Sequence, residues 1–223
     1  VIAYREVFAP PAFDLHPNVV PILCFTFHAA ADPALMEERK QTIATWGERA
    51  SRIGYWSYDD GASRYVLPRV YFDVMKELTK YFHEHNGVFA FSSGGKYFPV
   101  CEGPKVYLYY KLLENPDLDV DETVRDWCEA AVGAEAGDYL YRYYDFWETY
   151  WQDGIKGTAW WGRRDSVLFN GAPFGTYMYG LEPGDMEQCR EWMQRVVDLA
   201  AAKGTPAQKE RAQLQMDVFE WYE

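Results

Sequence analysis

A chain of 223 residues holds one large domain or two modest ones, and 48% hydrophobic residues suffice for a sizeable core. A net charge of −12 disfavours nucleic acid or an anionic membrane as partner, and no run approaches the ~18 uninterrupted apolar residues of a membrane span. The four cysteines, Cys24, Cys101, Cys128 and Cys189, are scattered without a C-x-x-C pair or a cysteine–histidine cluster, so free buried thiols are expected, with no metal and no cofactor.

Val1 to Tyr4 reads as the end of a strand, followed by Arg5-Glu6 and the breaker Pro10-Pro11. The chain opens strand-like, without an initiator Met or a signal-peptide pattern, so upstream sequence is expected to be missing and the compartment stays open. Asn18 to Phe27 is a second apolar run of strand length, ending at His28. Pro33, at a first-turn position, opens a helix to about Ala50. Ile53 to Tyr58 is a third strand and runs into Asp59, Asp60 and the turn residue Gly61. Leu67 to about His85 is a helix with Val70, Val74, Leu78 and Tyr81 on one face. Gly87 to Phe91 is a fourth strand, leading into Ser92-Ser93-Gly94-Gly95. Short strands alternating with helices have the spacing of βα units and predict a parallel sheet.

After Gly103 the pattern becomes helical. Lys105 to Leu113 is one helix. Asp119 and Glu122 form a capping-box variant before Val124, Trp127 and Ala131, and Gly133 ends that helix. Asp138 to Gln152 carries rings all round, which predicts burial on several sides. Asp185 to Ala202 has Met186, Cys189, Met193, Val196 and Ala200 at helical spacing, and Thr205-Pro206 with Gln208 starts a last helix. Residues 154–183 interrupt the helices with Gly and aromatics, among them Trp160, Trp161 and Tyr177, and with Arg163-Arg164. Two readings are open for that connection: rings plugging the gap between helices, or a surface facing a ligand or another copy.

Ligands of parallel sheets bind at the carboxyl ends of the strands. Tyr55, Trp56, Tyr58, Asp59 and Asp60 fall at such an end. Rings stack on the C–H faces of sugars and carboxylates accept from hydroxyls, so this set points to a saccharide. Strand side chains alternate, so Trp56 and Tyr58 share a face, taken as the inner one, with Tyr55 on the other. Glycoside hydrolysis needs two carboxyl groups, ~5–5.5 Å apart for retention and ~6.5–9.5 Å for inversion. Glu6 and Asp59 are the catalytic candidates, with Asp60 beside them and Glu102 weaker. Arg5 beside Glu6 holds it ionised by charge pairing, and the same pair also reads as a structural one. One of Asp59 and Asp60 reads as a turn acid before Gly61. His28 reads either as a sugar contact or as a cap. Lys96, with Ser92 and Ser93, sits on a Gly-rich loop suited to an anion such as a uronate. That loop is not a P-loop and lacks G-x-G-x-x-G, and no G-x-S-x-G or H-E-x-x-H occurs.

The order Tyr4-Arg5-Glu6, Pro10-Pro11, His16-Pro17-Asn18-Val19, Trp46, Tyr55-Trp56-Ser57-Tyr58-Asp59, Leu67-Pro68, Gly87-Val88 and Tyr110 to Asp117 with Asp119 resembles a bacterial family of glycoside-hydrolase-like proteins. That family carries only a domain-of-unknown-function label and is distantly similar to α-glucuronidases and β-hexosaminidases. Its pattern reads roughly A-K-L-L-W-N-P-D-x-D in the last segment, where this chain has Tyr110 and Glu114 in place of the small residue and the Trp. The likeness covers roughly residues 1–150. It implies an α/β fold: the C-terminal half of a (β/α)₈ TIM-type barrel, residues 1–103, followed by an α-helical region, residues 104–223.

The expected function is therefore that of a carbohydrate-active, glycoside-hydrolase-like protein that is inactive without the first half of its barrel. The alternatives are a non-catalytic carbohydrate-binding module and an oligomerisation module. The expected partners are a carbohydrate ligand and either a second copy of the chain or the missing N-terminal half.

Overall fold

Four short apolar runs assemble into one parallel sheet in the computed structural model, which describes residues 1–27, 31–58, 68–92, 99–163 and 176–221. The strands are β1 (Ile2–Ala3), β2 (Ile22–Phe25), β3 (Ile53–Ser57) and β4 (Gly87–Ser92), in the spatial order β1-β2-β3-β4. Ala3 pairs with Leu23, Leu23 with Tyr55, and Tyr55 with Ala90, so one row of side chains crosses the whole sheet. The pairing of β3 and β4 slips between Ile53 and Gly54, which leaves Val88 as a bulge residue. Gly54 is required here: a Cβ on it would come within 2.5 Å of the Phe89 ring.

Helices α1 (Pro33–Arg49), α2 (Phe72–Glu84) and α3 (Pro99–Glu114) follow β2, β3 and β4. Asp32 caps α1, accepting from Ala34 N at 2.8 Å and Leu35 N at 3.2 Å. Helix α1 packs on α2 and α2 on α3, so the three cover the same face of the sheet. Leu23, Ile53 and Tyr55 bury against them with Ile43, Trp46, Leu78 and Phe82 in the core.

The predicted helix starting at Leu67 starts instead at Phe72. Its cap position, Tyr71, has no side-chain cap of its own. The helix predicted from Lys105 begins upstream, at Pro99, with Gly103 and Pro104 inside it. A Cβ at Gly103 would lie 2.3 Å from the Trp127 ring, so this glycine marks a close approach of two helices.

Four more helices complete the chain: α4 (Val120–Val132), α5 (Ala134–Thr149), α6 (Asp185–Lys203) and α7 (Pro206–Glu220). Helix α5 packs on both α4 and α6, and α7 touches α3, α4 and α6. Rings do surround α5: Tyr141, Tyr143, Tyr144 and Trp147 are all buried. Asp119 caps α4 through Glu122 N at 2.9 Å, and Thr205 with Gln208 forms a full capping box on α7. The buried residues form one connected cluster from Ala3 to Phe219, so sheet layer and helices share a core. Cys24, Cys128 and Cys189 are buried and free.

Candidate functional site

The alternation of β3 decides which rings face outward. Tyr55, 1% exposed, turns to the helices: its hydroxyl lies 3.3 Å from Thr79 Oγ1, and its ring meets Phe82 edge-on at 4.5 Å. Trp56 turns to the opposite face. There it meets Phe91 edge-on at 4.9 Å and lies 5.5 Å from Tyr58 at a tilt of 33°. Register puts Ile2, Ile22 and Phe89 on this same face. Ile2, Phe89 and Phe91 are 46%, 42% and 51% exposed, so much of this apolar surface meets water. The Trp56 indole Nε1–H is buried and has no acceptor among the described residues. A buried donor left unmatched costs about 1–3 kcal/mol, which an acceptor brought by a ligand would recover.

The structure therefore brings Trp56 and Tyr58 together and sets Tyr55 apart, in the core. Glu6 is exposed, in a 3-10 turn (Arg5–Val7) just beyond β1. The backbone of Arg5 shares that turn, but its side chain lies outside the described residues, as do His28, Asp59, Asp60 and Lys96 and the side chain of Glu102.

Four residues that the sequence did not single out meet at the segment joining β3 to α2. Arg69 and Lys105 are 2% and 1% exposed. Arg69 Nη2 donates to Tyr58 O at 3.4 Å, and Lys105 Nζ donates to Arg69 O at 3.1 Å while lying 5.3 Å from the centroid of the Tyr71 ring. Trp151 Nε1 donates to Pro68 O at 2.6 Å. Glu148, on α5, accepts from Asp73 N and from Gln152 Nε2, both at 2.9 Å. It thus caps α2 across the fold, supplying what Tyr71 does not. Together these contacts tie Tyr58 to Arg69 and hold residues 68–73 where they enter α2. No local signal in the sequence announces them, because each depends on a partner distant along the chain.

Trp151 sits in a π-helical turn (Tyr150–Gly154) that extends α5. Its ring stacks on Tyr177 at 5.9 Å and meets Trp160 edge-on at 5.4 Å, and the Tyr150 hydroxyl donates to Tyr177 O. For Trp160 and Tyr177, both buried, the connection between α5 and α6 plugs a gap between elements. Trp151→Phe keeps the packing but orphans the buried Pro68 carbonyl. It is expected to lower stability by about 1–3 kcal/mol, read from the urea midpoint, and an unchanged midpoint would remove this contact from the account.

Burial pushes the Glu148 carboxyl up to about 7. The charges of Asp73 and Asp145 act in the same direction, while the backbone N–H groups of Asp73 and Phe72 pull it down. A carboxyl that holds its proton more tightly folded than unfolded stabilises the fold most below its ordinary value of 4.5. That stabilisation is lost as pH rises from about 4.5 through about 7. Glu148→Gln keeps an acceptor for Asp73 N and removes the titration. Thermal melts of this variant are expected to change less than those of the parent between pH 5 and pH 7.5, on the order of 2–3 kcal/mol less. Identical pH profiles would contradict this.

The three described thiols are poor nucleophile candidates: burial raises Cys24 and Cys128 and pushes Cys189 up to about 12. Among the described residues no cluster of His, Cys, Asp and Glu is arranged to hold a metal ion, and no helix is long and apolar enough to cross a membrane.

A family model described as Domain of unknown function (DUF4838) matches residues 1–145. No curated protein and no solved structure matches the chain.

Proposed function

The chain belongs to the family described as Domain of unknown function (DUF4838), and from that premise we propose a carbohydrate-active, glycoside-hydrolase-like protein that holds its saccharide against the aromatic sheet face around Trp56. One observation carries this reading: an indole ring whose N–H is unmatched among the described residues, beside Tyr58 and Phe91, on a sheet face that no described helix buries. A sugar offers both what the ring stacks on and an oxygen for the N–H.

The sheet in this reading is half of a (β/α)₈ barrel. Its strands run in sequential order without reversal, and α1 to α3 line one face. A doubly wound sheet would reverse its order and carry helices on both faces. The uncovered face then corresponds to the barrel interior, whose carboxyl end houses the active site in such folds. Asp59 and Asp60, directly after Tyr58, and Glu6, after β1, are the carboxyl groups assigned to the chemistry. Arg5, His28 and Lys96, next to the ends of β1, β2 and β4, are assigned to substrate hydroxyls or an anionic substituent. Hydrolysis requires the rest of the barrel.

A second reading, a non-catalytic carbohydrate-binding module, is favoured by the chemistry of the described part of the face, which is aromatic, with Glu6 its sole described carboxyl candidate. Aryl-glycosides and a panel of neutral and uronic oligosaccharides, offered to the full chain, test both. Binding supports the saccharide face, turnover in the complete barrel supports the enzyme, and binding without turnover in the complete barrel supports the module. Absence of binding to every saccharide overturns both.

A further inference from the structure

Tyr58 lies one residue past the last ladder pairs of β3, Phe25 with Ser57 and Ser57 with Ser92, yet it is held from two directions. Its carbonyl accepts from Arg69 Nη2 at 3.4 Å. Its side chain hydrogen-bonds the thiol of Cys24 on β2. Cys24 is the register partner of Trp56, so it belongs to the same sheet face. On the segment that enters α2, two successive carbonyls are tied to other elements: Pro68 O to Trp151 Nε1 at 2.6 Å, and Arg69 O to Lys105 Nζ, on α3, at 3.1 Å. The Lys105 ammonium also lies within cation–π distance of the Tyr71 ring. The sheet, α3 and the π-helical turn after α5 thus all bear on the place of one phenol ring.

Arg69 and Lys105 are both almost wholly buried. Withdrawing a charged group from water costs several kcal/mol even after relaxation, and apolar side chains of like volume often fill such places with no loss of stability. Stability alone therefore does not account for two buried cations at one strand end. Geometry does: a guanidinium is a planar fork with fixed donor directions, which a flexible ammonium does not reproduce. We infer that Arg69, backed by Lys105, is a positioning residue for the saccharide face: it sets the Tyr58 ring beside Trp56 before any ligand arrives, so that the two rings act as one preformed stacking surface. The inference rests on the saccharide reading proposed above and adds to it the groups that hold the rings. Both rings are partly exposed, with centroids 5.5 Å apart. A ring fixed in advance loses little freedom on binding, which is the advantage of preorganisation.

The test combines ring contacts with affinities, both on the full chain. In the free parent, nuclear Overhauser contacts between the Trp56 indole and the Tyr58 ring are expected, unchanged at saturation with the best saccharide of the panel. Arg69→Lys keeps the charge and loses the fork. It is expected to weaken those contacts in the free chain and to lower affinity about 3- to 10-fold, the cost of ordering one side chain on binding. In a Tyr58→Ala background the same substitution is expected to change affinity less than about two-fold, because its effect passes through that ring. Lys105→Met keeps the stem and removes the donor to Arg69 O, and is expected to act in the same direction and to be equally silent without Tyr58. Circular dichroism selects the variants that fold. A free parent chain without contacts between the two rings overturns the inference, whether or not any variant folds. So does a folded Arg69→Lys whose affinity is unchanged, or falls equally with and without Tyr58, since a purely structural role would act so. A parent that binds no saccharide overturns the saccharide reading. Ring contacts present in that parent and lost in Arg69→Lys would still show that Arg69 sets the ring.

Discussion

Trp56→Ala is expected to weaken saccharide binding by about 10- to 100-fold, a loss of roughly 1.4–2.8 kcal/mol for one stacked ring and its N–H. Titration calorimetry against the best ligand of the panel reads this directly. Two controls separate binding from folding. Trp56→Phe keeps a stacking ring but removes the N–H, and is expected to fall between parent and alanine variant. Tyr55→Phe removes only a hydroxyl that faces Thr79 in the core, so affinity is expected to stay within a factor of about two. The adjacent residues thus have opposite expected outcomes, set by the alternation of one strand. If Tyr55→Phe and Trp56→Ala lowered affinity alike, the effect would be one of general stability, and the aromatic face would lose its assignment.

The largest stability change is expected from Trp147→Ala, about 3–5 kcal/mol. Trp147 is fully buried on α5 and meets Tyr143 at 6.2 Å, Phe146 at 5.1 Å and Tyr150 at 5.6 Å. Its removal leaves a large void among rings that cannot all move inward, because α4 and α6 both pack on the same helix. Against a typical domain stability of ~5–15 kcal/mol, this removes about a fifth or more of the total and is expected to lower the midpoint of urea unfolding in proportion. The whole chain is expected to lose structure together, sheet included, because Trp147 belongs to the same buried cluster as Tyr55. A variant whose α4–α7 signals melt while the sheet persists would show that the shared core does not couple the two regions.

Much of the sheet was legible in the residues themselves. Ile53 to Ser57 is short, apolar and bounded by turn residues, and the period of two assigned Trp56 and Tyr58 to one face and Tyr55 to the other. Asp119 and Thr205 were legible as helix starts because their caps are local. The start of α2 was not, because its cap is Glu148, in a helix far along the chain. The helical pattern was read only after Gly103, whereas α3 already contains that residue, since the reason for the glycine is the Trp127 ring of another helix. Arg69 and Lys105 carried no signal at all: buried cations look like surface cations until the groups around them are known. What was hidden in the site was the part built by contacts between distant segments.

The most direct measurement of the central claim is a saccharide titration followed by the indole N–H resonances of the nine tryptophans. The account predicts that Trp56 responds first and furthest, its proton shifting downfield as it gains an acceptor, while Trp147, deep in the helical core, stays still. Saturating saccharide that leaves the Trp56 resonance unmoved, whether or not other resonances respond, would contradict it.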